Sequence, residues 1–183
     1  LFFLFVHYNL ISNNYLSQIK TAQKLLLSEK EPIINLAKTI VEKINGKRIV
    51  AYGDSVFAGV IERFRQQLNE NSKQLAWHHA LPEMNHNELV GWGGGDDSIA
   101  VLIFRSDFDN PRTKIRMDLS QKIFKNYTPT VLELNAKGAN PIEQAFYHIL
   151  LGDWISILLA ESNDVDPVEI KVIEYLKSEL AKI

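Results

Sequence analysis

The chain has 183 residues, 46% of them apolar, no cysteine and a formal net charge of −2. Those numbers fit one hydrophobic core in a single domain. The lack of cysteine excludes disulfide scaffolds, thiolate metal centres and cysteine nucleophiles, and the interspersed Lys, Arg, Asp and Glu exclude the clustered basic face of a nucleic-acid binder.

Leu1 to Ile11 (LFFLFVHYNLI) is apolar, yet it has neither the basic start nor the cleavage site of a signal peptide. It is also shorter than the roughly 20 residues that span a bilayer. No membrane association is expected, and the cytoplasm is the default compartment. The chain opens on Leu rather than Met, so this apolar run is expected to pack on material outside the chain.

From Ser12 to Ile44 the apolar residues fall at helical spacing: Leu16, Ile19, Ala22 and Leu25, then Ile33, Ala37, Ile40 and Ile44. Pro32 between the two sets predicts two helices, the second ended by Asn45-Gly46. Lys47 to Tyr52 then reads as a strand that stops at Gly53-Asp54-Ser55, and Val56 to Gln67 returns to helical spacing. The alternation repeats. Gln74–His79 is a short predicted strand, a helix starts near Asn85, and Ile99–Arg105 is the clearest buried strand. Pro111–Phe124 reads as helix, Thr130–Leu134 as strand, Pro141–Ala160 as a long apolar helix, and a last helix opens at Asp166-Pro167. Strands separated by helices predict an α/β fold, a three-layer α-β-α sandwich around a mostly parallel sheet.

Glu70 lies in Asn69-Glu70-Asn71-Ser72-Lys73, between a predicted helix and the next strand. A solvated helix end explains a lone Glu, whereas a carboxylate flanked by amide and hydroxyl donors and facing a pocket suits a general base. His86, in Pro82-Glu83-Met84-Asn85-His86-Asn87-Glu88, sits near a helix start that Asn85 or Asn87 can cap. A helix N-terminus favours neutral imidazole, which can accept or relay a proton. Glu70 and His86 flank one predicted strand, and the sheet is expected to bring both to the end where open α/β sheets bind ligands.

His78, His79 and His86 with Glu83 and Glu88 invite a metal reading. Neighbouring strand residues face opposite ways, however, and no H-E-x-x-H pattern occurs, so no metal is expected. Gly93-Gly94-Gly95 lacks the Lys-Ser/Thr of a phosphate loop and reads as a mobile surface loop. Gly53 and Ser55 open a helix whose amides could hold a phosphate or hydroxyl oxygen, although a tight turn explains them as well.

The segments LNENSK, PEMNHNELVGW, NPRTKIRMDLS, LLGDWISILLA and DVDPVEIKVIEYLK occur in this order. Together they resemble the bifunctional phosphoglucose/phosphomannose isomerases, specifically their C-terminal sugar isomerase (SIS) domain. The resemblance implies a flavodoxin-like SIS fold over residues 46–183, with residues 1–45 a helical segment on a preceding N-terminal SIS domain. It implies cofactor-free interconversion of glucose 6-phosphate or mannose 6-phosphate with fructose 6-phosphate through an enediolate. Glu70 takes the role of the base, and His86 that of the ring-opening group, supplied by the neighbouring subunit of a homodimer. Lys177 is the match for a C-terminal Lys that assists ring opening, with Lys171 and Lys182 as alternatives. Asn71 and Lys73, with Gly53 and Ser55, are the candidate substrate contacts. The phosphate loop belongs to the preceding domain, so this chain would hold half a site. A SIS module that binds a phosphosugar and regulates without catalysis is the alternative.

Overall fold

In a computed structural model, which describes residues 2–183, seven α-helices and four strands alternate. The helices are α1 (Phe2–His7), α2 (Tyr15–Ile44), α3 (Ala58–Asn71), α4 (Glu88–Gly91), α5 (Pro111–Phe124), α6 (Pro141–Ser162) and α7 (Lys171–Leu180). The strands are β1 (Arg48–Asp54), β2 (Ala76–Leu81), β3 (Ile99–Arg105) and β4 (Val131–Asn135). All strand pairs are parallel, in the order β2-β1-β3-β4. A three-layer sandwich results, and its central strands β1 and β3 are buried on both faces as their apolar sequences require.

Strand alternation divides the core. Ile49 and Ala51 of β1, Ala100, Leu102 and Phe104 of β3, and Leu134 of β4 face a layer built from α2, α3 and α6. Val50 and Tyr52, Val101 and Ile103 face the other way, against Met117 and Phe124 of α5 and against Met84 and Trp92. The expected strands and the helices α5 and α6 fall within two residues of their observed bounds at nearly every end. Both helices begin with Pro in the first turn after an Asn cap: Asn110 accepts from the Arg112 amide, and Asn140 from the Glu143 amide.

Three expectations need correction. The two helices divided at Pro32 are one helix of 30 residues with Pro32 inside it. An interior Pro costs about 3 kcal/mol, but Ile33, Ala37, Ile40, Val41 and Ile44 beyond it are buried against α6 and the sheet. Each of the Ile and Val side chains returns about 1.5–3 kcal/mol on burial, so packing keeps the helix continuous through the break. The last helix starts at Lys171 rather than at Asp166-Pro167, because the Asp166 carboxylate accepts the Val168 amide and holds a turn there. The helix expected from Asn85 is a 3₁₀ turn, Glu83–His86, followed by the short α4, with Asn87 out of helical geometry between them. A further 3₁₀ turn, Trp92–Gly94, follows with Trp92 buried and Gly95 extended just after it. Among the described residues no helix is long and apolar enough to cross a membrane.

Candidate active site

The Asn69–Lys73 motif closes α3, and most of its side chains are tied into the fold. Asn69 accepts the Ala76 amide at 3.1 Å, Asn71 donates to Ser156 Oγ at 2.9 Å, and Ser72 donates to the Ser156 carbonyl at 2.6 Å. Lys73 adopts φ +52°, a left-handed conformation that side-chain-bearing residues seldom take, and its ammonium turns back to the Glu70 carbonyl at 2.7 Å. The Glu70 carboxylate makes no hydrogen bond or ion pair with any described residue. It lines a cavity of about 460 Å³ between the end of α3 and the start of α7, together with Lys73, Gln74, Leu75, Glu169 and Lys171. That volume lies in the range of small-molecule sites. Lys171 is therefore the C-terminal lysine at the cavity wall. Lys177 lies six residues further along α7, about 9 Å at helical rise, and is exposed.

His86 is elsewhere. In a parallel sheet the segments before and after a strand lie at opposite ends, so the six residues of β2 separate Glu70 from His86 by roughly 20 Å. The expectation that one chain gathers both at one end is wrong for this reason. His86 is exposed at the end of its 3₁₀ turn, at the carboxyl edge of the sheet. Its neighbours are fixed: Met84 is fully buried, and Asn85 donates to Ser120 Oγ at 2.9 Å.

Two residues after His86, Glu88 gathers three donors. One oxygen accepts from Tyr52 Oη and from Trp77 Nε1 (3.1 Å), and the other meets His79 Nδ1 at 2.8 Å. Trp92 Nε1 in turn donates to Tyr52 Oη at 3.1 Å. Burial and the adjacent carboxylate drive the Tyr52 phenol well above its usual range, so it stays a neutral donor. His78 points to the other face, where burial and nearby Arg65 lower its pKa. Among the described residues no three His, Cys, Asp or Glu side chains converge as a metal site. Glu88 entered the sequence reading only as a potential metal ligand. The i, i+2 pair Trp77 and His79 on one strand face was the signal for its actual role.

Gly53 and Ser55 also lie at the carboxyl edge, at the crevice between β1 and β3 where the strand order reverses. Several of the protein's own polar groups there are tied to one another. Asp54 accepts the Val56 amide at 2.9 Å and the Asn110 amide at 2.8 Å, and Ser106 Oγ donates to Gln144 at 2.6 Å. A Cβ on Gly53 would stand 2.4 Å from Ile61 Cδ1 and 3.3 Å from the Phe104 carbonyl, so close strand-to-helix packing accounts for this glycine. Ser55 is exposed beside the capping carboxylate of Asp54.

Asp109, in the same crevice and 4% exposed, accepts the Ser106 amide through Oδ2 while Oδ1 has no partner among the described residues. Burial, with the Asp54 charge adding to it, pushes its pKa up to about 6. No local sequence pattern marks this pair, which the fold assembles from β1 and the loop after β3. Because the folded pKa exceeds the unfolded value, Asp109 favours folding at low pH and loses that contribution as pH rises through about 6. In urea titrations from pH 4 to pH 8, Asp109→Asn is expected to gain up to about 3 kcal/mol relative to wild type. A pH-independent difference would remove the buried charge from the account.

Three comparisons bear on this geometry. A family model described as the bacterial phospho-glucose isomerase C-terminal SIS domain matches residues 33–180. The chain is 34% identical over 167 residues to the bifunctional phosphoglucose/phosphomannose isomerase of Aquifex aeolicus, covering 90% of this chain and 52% of that protein. It is 35% identical over 160 residues to the enzyme of the same name from Thermoplasma volcanium, covering 85% of this chain and 51% of that protein. The chain thus spans about half the length of the curated relatives it matches. In fold it resembles a glucose-6-phosphate isomerase like protein from Thermus thermophilus, with a TM-score of 0.68 at 19% identity over 88% of this chain and 56% of that one.

Proposed function

Because this chain belongs to the family of bacterial phosphoglucose isomerase C-terminal SIS domains, we propose that it carries the base of an aldose–ketose isomerase acting on glucose 6-phosphate and mannose 6-phosphate. The observation that carries this reading is the Glu70 carboxylate, without a partner among the described residues in a motif whose other side chains are anchored, at a cavity with two lysines.

The chemistry needs little else. In the open-chain aldose the C1 carbonyl acidifies the C2 hydrogen. Glu70 takes that proton, an enediolate forms, the O2 hydroxyl proton passes to O1, and the carbon-bound proton returns at C1 to leave the ketose. Charge builds on the two enediolate oxygens during the transfer. The ammonium groups of Lys73 and Lys171 at the cavity wall are suited to stabilise it.

Ring opening comes first, and it requires a proton moved from O1 to the ring oxygen. We assign this to His86 of a second copy, since within one chain His86 and Glu70 stand at opposite ends of β2. The working unit is then a homodimer, active in the cytoplasm. Lys171 replaces Lys177 as our candidate for assisting ring opening, because it shares the cavity with Glu70. The sugar's phosphate is held by residues outside this chain.

The test is an isomerase assay of the full-length protein on both sugars in the presence of EDTA. Conversion of both, unaffected by chelator, is the expected result. A folded protein that binds both sugars and converts neither would favour a regulatory phosphosugar-binding module.

A further inference from the structure

The segment that carries His86 has little regular structure of its own. It consists of one 3₁₀ turn and a helix of 4 residues, and helices this short do not persist in water without outside contacts. Its shape must come from side-chain anchors. On the N-terminal side these are the buried Met84 and the Asn85–Ser120 bond. On the C-terminal side Leu89 and Trp92 pack into the core, and Glu88 ties the segment to β1 through Tyr52 and to β2 through Trp77 and His79. His86 itself makes no side-chain bond to any described residue.

We propose that Glu88 is the positioning residue for His86, holding the imidazole at the place and angle from which it reaches a sugar ring in a second copy. The role needs a carboxylate. Its two oxygens satisfy a fully buried phenol, an indole and an imidazole at once, and a carboxylate is the side chain that accepts at several sites without donating. The proposal rests on the reading of His86 as the ring-opening group.

The test combines kinetics with amide hydrogen exchange on the full-length protein. Glu88→Ala is expected to raise exchange at residues 86–90 by about 100-fold while the rest of the sheet keeps its protection. It should lower kcat on the cyclic sugar at least about tenfold with little change in KM. Glu88→Gln keeps one oxygen for Tyr52 and Trp77 but turns an amide donor toward His79, so it should recover only part of both losses. Because Glu88 acts through His86, the double variant Glu88→Ala/His86→Ala should turn over no more slowly than His86→Ala alone. Unchanged exchange in Glu88→Ala, or losses that multiply in the double variant, would overturn the proposal. Full turnover by His86→Ala would discard the catalytic reading of His86 instead, and the exchange result would then decide the positioning role by itself.

Discussion

Glu70→Gln is expected to cut turnover of either sugar by about 10²–10⁴-fold, the contribution of a positioned general base. Binding of the sugar phosphate should change by no more than about threefold, because Gln keeps the shape and polarity of the cavity wall. The fold should not register the substitution. The Glu70 carboxylate bonds to no described residue, Lys73 holds its backbone carbonyl, and Asn71 and Ser72 secure the end of α3 on Ser156. A stability change beyond about 0.5 kcal/mol would be unusual for such a site. Any loss of activity can therefore be read as chemistry. Retained turnover would remove Glu70 from the mechanism.

The largest effect on stability is expected at Phe124. This fully buried ring stacks on Tyr52, with centroids 5.2 Å apart, and lies against Trp92 at 4.7 Å. Phe124→Ala removes the ring from between α5 and the sheet and should cost about 3–5 kcal/mol, visible as a lower urea midpoint. The void opens directly beneath the two aromatics that end the Glu88 network, so the His86 segment should loosen with it. Phe124→Leu refills part of the space and should recover more than half of the loss. If Phe124→Ala costs less than about 1 kcal/mol, α5 does not clamp this part of the molecule.

Much of the fold was legible in the sequence because local signals and burial agree there. Ile99–Arg105 reads as a buried strand and is one, and Asn-Pro pairs mark the starts of α5 and α6. Pro32 misled because a local rule worth a few kcal/mol met a buried helix face worth more. The segment after β2 misled because its short turns are held by side-chain bonds to Trp77 and His79 of β2 and to Tyr52 and Ser120, the last two distant in sequence. The candidate site divides in the same way. Glu70 and His86 could be picked out from their motifs, but their placement at opposite ends of β2 follows only from the direction of the strand. The Asp54 and Asp109 pair, at the crevice where Gly53 and Ser55 were expected to meet a ligand, has no local signature at all.

That separation makes the central claim directly measurable by mixing two variants of the full-length protein, Glu70→Gln and His86→Ala, each nearly inactive alone. In a two-fold dimer whose sites take Glu70 from one copy and His86 from the other, a mixed dimer has one doubly damaged site and one intact site. Random pairing should then restore about a quarter of wild-type activity. A mixture that exchanges subunits yet stays as inactive as its parents would contradict a site shared between two copies.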